Sequence, residues 1–534
     1  MKKKLLSLFI SLLSLTAIAQ DTEFWFAPFS VYDEATSSAY RGHSGFVINN
    51  PTHRQATVTI HHYKDDSDIT LIIPAYGYQQ YSYTYADLQA KVEVPNGTHL
   101  GLPYTGGIKI TSNIGVVIYY IYDYQAQQET ALLKGGASLG KSFHVTSSRG
   151  GNIRNTSSLN VGYGYYPYIS IMGTEANTAV TFTIPVAVTG FSAGTHTVTL
   201  NEGEILNLRT SSVVLAGSIV TSDKPIVVTS GEECRNSISG ACDQCADQLV
   251  TDHYAANVYV LTLSGGFRNA SNYNSINNYV EIIGLENGTN VEIDWGSGLT
   301  SLCTLNKGQT FVSDTFKVNR ANACATIKSS HPIHIMQNTG HEATTCHLPN
   351  FYGTNTHKTS FFTYWETFNN MYPSVMLVYR EGSKEDFIIS YPGQTDTPLF
   401  DWITANARWI DSEGDVPQFT GWKYIRFTLP DAAINQIVSI NNNSSVFQLG
   451  FTSSFNYGTN LTYFSAFNSD FSFDPDTVWT CPGIYTNLIG GIAEYYKWIF
   501  PDGTIKEGAS MNSVKAVQMG MYILEMTQGF NTIT

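Results

Sequence analysis

The chain has 534 residues, of which 43% are hydrophobic, 13% aromatic and only 13% charged, with 33 tyrosines and a formal net charge of −14. That length exceeds one ordinary core. Scarce charge with abundant Thr, Ser, Asn, Gly, Val, Ile and Tyr is the composition of half-buried strands, and the acidic balance without a basic stripe excludes nucleic acid as a partner.

The first residues, MKKKLLSLFISLLSLTAIAQ, read as a signal peptide over 1–19: three lysines, an apolar run from Leu5 to Leu15, and Ala17-Ile18-Ala19 before Gln20. Removing it takes the net charge to about −17. The apolar run is too short to span a bilayer, and no later window offers a transmembrane segment. The expected product is secreted, at the bacterial cell surface, with disulfides as the default state of its seven cysteines.

A strand–turn–strand signature then recurs. It reads GGIKITSNIGVVIYYIYDY from Gly106, AGSIVTSDKPIVVTSG from Ala216, ACATIKSSHPIHIMQNTG from Ala323 and IVSINNNSSVFQLGFTSS from Ile437. The residues opening each second half, Val116, Ile226, Ile333 and Val446, recur at a period of about 110 residues. Other landmarks keep step. An aromatic strand opens each unit (EFWFAPF, SFHVTSS, VYVLTLS, SFFTYWE), and an alternating strand follows a Gly/Asn/Ser-rich segment (GFVINN, YISIMG, YVEIIG, SVMLVYR). A second one comes next (ATVTIHHY, AVTFTIP, NVEIDWG, DFIISYPG). Period-two alternation gives each strand one buried and one solvated face.

The expected fold is all-β: tandem or clustered β-sandwich-like repeats, four units at about 20–135, 136–250, 251–350 and 351–467. A propeller with one unit per blade is the alternative, but a blade needs only four strands in under about 50 residues. Residues 468–534 read as a small immunoglobulin/PKD-like module, expected to be incomplete in this chain, with Trp498, a Pro501-Asp502-Gly503 turn, and Cys481, which no second cysteine follows. Surface attachment is expected through a region beyond Thr534.

Unit two differs from the others by its cysteines. Cys234, Cys242 and Cys245 lie in a Gly/Ser/Asn-rich stretch after Ser230, which is read as a loop between strands. From Phe24 to Phe467 the chain resembles the N-terminal domain of the IgGFc-binding protein family. The resemblance rests on DKPIVVTSGEEC at Asp223, ACDQCADQL at Ala241 and HPIHIMQNTG in the next unit. The family pattern continues into a proline-rich segment, from which Val250-Thr251-Asp252-His253 departs. The resemblance implies an extracellular, non-enzymatic, disulfide-bearing β module, and carries over no contact residues for antibody Fc. The leader and the terminal module resemble those of surface proteins exported by type IX secretion.

The cysteine stretch is the expected recognition loop, with Glu232, Glu233, Asp243, Gln244, Asp247 and Gln248 as its polar residues. Cys242-Asp243-Gln244-Cys245 lacks the helix N-terminus that a redox CxxC needs, so its cysteines are read as structural. Cys303 and Cys324, at positions matching Val198 and Gly217 of unit two, are expected to pair across strands. Cys234, Cys242, Cys245 and Cys346 then allow two further bridges in three connectivities.

The run His331, His334, His341, Cys346, His347 fits no zinc spacing, and His334, alternating with Ile333 and Ile335, is expected on the solvated face. No metal and no cofactor are expected. GxSxG, HExxH and phosphate-binding glycine motifs are missing, so no catalytic residue is assigned. Two aromatic clusters suit either stacking on a ligand or the core, with the core favoured: Tyr163, Tyr165, Tyr166 and Tyr168, and Trp402, Trp409 and Trp422.

The sequence therefore reads as a non-catalytic surface binding or adhesion protein for a glycoprotein, mucin-like chain or glycan. A self-assembling envelope protein and a carbohydrate-active enzyme are its rivals.

Overall fold

The computed structural model describes residues 21–463, apart from 31–43, 53, 93–99, 125–126, 147–165, 211–213, 237–241, 264–276, 314–315, 318–322, 340–343, 352–357, 364–372, 435, 443 and 456–457; it also describes 486–489, 495–508, 513–516, 522–528 and 531–533. The expected leader, Tyr163, Tyr165, His341 and Cys481 lie outside the described residues. The chain divides into two units, Ala19–Ser469 and one that holds Asp470–Thr534.

The large unit builds one pattern of strands four times. Repeat one contains β1 (Asp21–Phe26), β2 (Gly45–Asn49), β3 (Ala56–His62), β4 (Ser67–Ile73), β5 (Tyr78–Ser82), α1 (Tyr85–Lys91), β6 (Tyr104–Thr105), β7 (Ile108–Tyr124) and β8 (Gln127–Leu132). Repeat two contains β9 (Gly140–His144), β10 (Pro167–Gly173), β11 (Thr178–Ile184), β12 (Gly194–Leu200), β13 (Glu204–Arg209), β14 (Ile219–Asn236) and β15 (Cys242–Gln248). Repeat three contains β16 (Ala256–Thr262), β17 (Asn277–Gly284), β18 (Thr289–Asp294), β19 (Thr300–Leu305), β20 (Thr310–Val312), β21 (Phe316–Lys317), β22 (Cys324–Thr339) and β23 (Thr344–His347). Repeat four contains β24 (Lys358–Phe362), β25 (Ser374–Arg380), β26 (Phe387–Tyr391), β27 (Gln394–Pro398), α2 (Leu399–Asn406), β28 (Trp409–Asp415), β29 (Trp422–Thr428), β30 (Ile437–Asn442), β31 (Gln448–Phe455) and β32 (Gly458–Tyr463).

The recurring signature is not a strand, a turn and a second strand. In repeats one to three it is one continuous strand of 17, 18 and 16 residues, shared by two sheets. The first half of β14 pairs with β11 and β9, and its second half with β10 and β15. β7 and β22 divide their partners in the same way. Asp223, Lys224 and Pro225 pair with neither β10 nor β11, so the missing proline N–H falls where the strand changes sheets and costs no ladder bond.

The bends of repeats two and three are held alike. Ser222 Oγ donates to the Lys224 carbonyl at 2.6 Å, and Ser329 Oγ to that of His331 at 2.7 Å. The next side chain caps the neighbouring strand: Asn113 Oδ1 accepts from Thr57 N at 2.7 Å, Asp223 Oδ1 from Ala179 N at 2.8 Å, and Ser330 Oγ from Asn290 N at 2.9 Å. In repeat four the long strand breaks into β30 and β31, which belong to separate sheets.

The two sheets of each repeat enclose its core. In β3 and β11 the alternate residues Val58, Ile60, Val180 and Phe182 are fully buried, as period two requires. Removing such side chains from water stabilises each repeat by about 1.5–3 kcal/mol per residue. Repeat one adds an aromatic nest, with the Phe26, Phe29 and Phe46 rings 4.9–5.3 Å from that of Tyr120.

The repeats then close on one another. The Leu-Asn-x-Gly turn of each of the second and third repeats abuts the repeat before it. Gly203 O accepts from Gly106 N and Gly107 N, and Gly308 lies against Gly217 and Ile219. Between repeats three and four, Phe351 packs on Phe419 and Trp422. Repeat four returns to repeat one: Val47, Val117, Tyr119, Ile121 and Leu132 share one apolar core with Phe361, Val375, Phe427 and Phe451. β8, β15, β23 and β32 therefore meet around a common axis, each packed against the next and β32 against β8. The sandwiches are arranged in a closed ring.

The terminal unit is also all-β. β33 (Thr486–Ile489) pairs with β36 (Ser513–Ala516); β34 (Tyr495–Ile499) lies between β35 (Ile505–Gly508) and β37 (Ile523–Gln528), which also pairs with β38 (Asn531–Ile533). Tyr496, Trp498, Phe500, Val514 and Leu524 form its core.

Gly203 tests the joint between repeats one and two. Its φ is +75°, and an added Cβ would lie 2.2 Å from Cγ of Tyr63. Gly203→Ala is expected to destabilise the protein by about 2–4 kcal/mol in denaturant titration, combining left-handed strain with overpacking.

Candidate binding face and the polar axis behind it

Among the described residues each axial strand pairs with one strand only: β8 with β7, β15 with β14, β23 with β22 and β32 with β31. The other edges face the axis, where water cannot satisfy their backbone groups. At β8, β15 and β23 side chains from another repeat do so instead. Glu129 Oε2 accepts from Ala246 N at 3.3 Å, and its Oε1 from Thr344 Oγ1 at 2.9 Å. Asp247 Oδ2 accepts from His347 N at 2.8 Å, and Gln248 Oε1 from Lys134 N at 2.9 Å. Gln248 Nε2 also donates to the Trp25 carbonyl at 2.7 Å.

This corrects the reading of the cysteine stretch as an exposed recognition loop. Glu232, Glu233, Gln244, Asp247 and Gln248 are all buried, none more than 3% exposed. Glu233 accepts from Arg209 Nη2 at 2.6 Å and from Ser30 Oγ at 2.5 Å, while Gln244 Nε2 donates to Tyr168 Oη at 3.0 Å. Asp243 and Cys242 belong to β15, opposite Arg235 and Asn236, and Cys234 to β14; their side chains lie outside the described residues. Cys245 and Cys346 are buried on the adjoining strands β15 and β23.

Cys303 and Cys324 are not brought together. β18 lies between their strands, and Val291 faces Cys303 on one side and Ser329 on the other, five positions from Cys324. Both are thiols in the structure, and burial pushes the Cys303 thiol up to about 11. The sequence match of Cys324 with Gly217 located its strand correctly and missed the strand in between.

His334 is also inside, 1% exposed, because the second face of β22 is covered by neighbouring repeats. Its ring lies 5.0 Å from that of His347, and its Nε2 is 3.4 Å from Asp252 Oδ1. Asp252 Oδ2 meets His144 Nδ1 at 2.9 Å and accepts from Ser142 Oγ, which joins repeats two and three. Burial opposes ionisation of Asp252, but the hydrogen bond with His144 and the nearby His334 imidazole hold its carboxyl well below the usual range. Burial, then the nearby His334 and Lys134, lowers His347 well below the ordinary histidine value. Among the described residues no group of His, Cys, Asp and Glu is arranged to hold a metal ion.

The aromatic clusters divide. Tyr168, Trp402 and Trp422 are core residues, whereas Trp409 is 38% exposed on the edge strand β28 beside Ile410, which is 45% exposed. Tyr166 is half-buried under the Arg209 guanidinium, 3.9 Å from its ring centroid.

Behind the axis lies a defined end of the ring. Glu129 meets Ala246 and Thr344, and further along the same strands Lys134 meets Asp247, which meets His347; these axial strands run in one direction. β8, β15 and β23 therefore begin at one end. β2, β10, β17 and β25 begin at that end too, since Gly45, Pro167, Asn278 and Ser374 pair near the C-termini of the long strands or, for Ser374, of β31. The segments leading into them, 31–43, 147–165, 264–276 and 364–372, lie outside the described residues. The described residues at that end are buried and polar: Ser44 bonds Asp123 N at 2.9 Å, and Ser30, Glu233, Arg209 and Tyr166 link in repeat two.

His347 gives the joint a pH dependence. Its folded value lies below the ordinary 6.5, so its contribution is full above pH 6.5 and is lost as pH falls toward the folded value. Glu129 and Asp247, both raised by burial, act in the opposite sense, so a variant isolates the histidine. The stability advantage of wild type over His347→Gln is expected to shrink between pH 7 and 5, by at most about 1.4 kcal/mol per pH unit, in denaturant titrations at each pH.

The family model described as "IgGFc binding protein" matches residues 128–429, from β8 to the end of β29. No curated protein matches the chain. Among solved structures, a Ca2+-stabilised adhesin that helps an Antarctic bacterium reach out and bind ice is 11% identical, with 85% of this chain and 99% of that one covered at a TM-score of 0.11. A 1.5-MDa bacterial ice-binding adhesin, described for host cell surface retention, is 15% identical, with 58% and 91% covered at a TM-score of 0.09. Scores that low carry no structural argument. The family match spans more than half of the chain and contains the axial residues Glu129, Lys134, Asp247 and His347: the chain belongs to the IgGFc binding protein family.

Proposed function

We propose that this protein is an extracellular, non-catalytic binding protein that recognises a glycoprotein through the segments at one end of its ring. Membership of a binding family supports the class of function. The observation that carries the location is topological: strands β2, β10, β17 and β25 all begin at the end where the axial strands β8, β15 and β23 begin. A rigid scaffold with equivalent connecting segments gathered at one end can vary those segments without loss of core. The acidic and glutamine residues of β14 and β15 have no part in recognition on this reading, because they are occupied in holding the repeats together. No helix among the described residues is long and apolar enough to cross a membrane.

The test is a binding screen of the mature protein against antibody Fc, mucins and a glycan array. It is followed by replacement of 31–43, 147–165, 264–276 and 364–372, singly and together, with Gly/Ser linkers. At least one replacement is expected to weaken the glycoprotein interaction tenfold or more, about 1.4 kcal/mol, with an unchanged melting temperature. Undiminished binding after all four replacements, or self-association as the only interaction, contradicts the proposal.

A further inference from the structure

One buried pair at the axis has the parts of a reaction site. Lys134 follows β8 in repeat one, and Asp247 lies on β15 in repeat two. Nζ of Lys134 is 2.5 Å from Oδ1 of Asp247, and the two side chains are only 2% and 4% exposed. Nζ also reaches the Leu132 carbonyl at 3.4 Å. Both carboxylate oxygens of Asp247 accept backbone N–H bonds, Oδ1 from Gln248 at 2.9 Å and Oδ2 from His347 at 2.8 Å. A third ionisable group, Glu129, is fully buried on β8, where it accepts from Ala246 N, the residue before Asp247. Its other bonds come from Thr130 N at 3.0 Å and Thr344 Oγ1 at 2.9 Å, and among the described residues no lysine or arginine is bonded to it.

We propose that Lys134 and Asp247 condense to an isopeptide bond that ties repeat one covalently to repeat two. The chemistry follows from the placement. Away from water a lysine–aspartate ion pair carries a desolvation cost that its attraction does not fully offset, and moving the proton from the ammonium to the carboxylate removes both charges. Burial raises the Asp247 carboxyl, against the pull of Lys134, which favours that transfer. The neutral amine is then a nucleophile held against its electrophile.

Attack of Nζ on Cγ forms the new C–N bond, and the oxyanion develops on Oδ2, where the His347 amide already donates, while Oδ1, the oxygen facing Nζ, carries the proton. The C–O bond to the carboxyl hydroxyl breaks, and that oxygen leaves as water. Its extra proton comes from the Glu129 carboxyl, which regains one from the attacking nitrogen. Burial first, and the charge of Asp247 among the lesser causes, raises Glu129 well above the ordinary carboxylate value, so it holds a proton to give. The balance is one amine and one carboxylic acid to one amide and one water, with no oxidant or external reagent.

The inference does not depend on which ligand the ring binds, and its test is a mass. Under denaturing conditions the intact mature protein is expected to weigh one water less than its sequence. Proteolysis should release a branched peptide joining the Lys134 and Asp247 segments. Lys134→Arg, which keeps a cation beside Asp247 and cannot condense, is expected to restore the full mass. Glu129→Gln is expected to slow or abolish the loss. A wild-type mass equal to the sequence, with Lys134 and Asp247 in separate linear peptides, overturns the proposal whether or not any variant folds. A bond formed at the wild-type rate in Glu129→Gln overturns the role given to that residue.

Discussion

Four strand edges meet at the centre of the Ala19–Ser469 unit, and among the described residues none of β8, β15, β23 and β32 has a second strand to pair with. A buried edge must find partners for its amides and carbonyls, or the ring cannot close. The solution is to reach across from one repeat to the next with carboxylate and amide side chains: Glu129 to Ala246, Asp247 to His347 and Gln248 to Lys134. Those bonds fix which repeats are neighbours. They also explain why an acidic, glutamine-containing run occurs in the core of a protein that otherwise buries Val, Ile, Phe and Tyr.

The strands and their period were legible in the sequence because period-two alternation and the aromatic openings recur in every repeat. EFWFAPF, GFVINN and ATVTIHHY became β1, β2 and β3, and their counterparts followed. What was not legible is how the strands share partners. Ser-Asp-Lys-Pro has the composition of a tight turn, and the same residues suit a bend where a strand passes between sheets. The two differ only in whether the halves pair with each other, which is a tertiary fact.

Burial of the second face was missed for a related reason. Alternation distinguishes two faces without saying what covers each, so His334 was read as solvated although a neighbouring repeat lies over it. Glu232, Glu233 and Asp247 fall in and beside a Gly/Ser/Asn-rich stretch whose composition is that of a loop, and isolated acidic residues are seldom buried. A strand edge with no partner is the circumstance in which they are wanted. Trp409 shows the converse, an aromatic of the kind assigned to the core that stands at an exposed sheet edge.

Closure of the ring is the central claim, and native-state hydrogen exchange of the Ala19–Ser469 unit tests it most directly. The claim requires Ala246 and His347, whose amides are bonded across repeats, to exchange by the same cooperative opening as the core amides of β2 and β25, which share the apolar joint of repeats one and four. A single opening free energy shared by these sites is the predicted result. Repeats that open independently, with Ala246 and His347 exchanging fast while each sandwich core stays protected, would show four beads in series and contradict it.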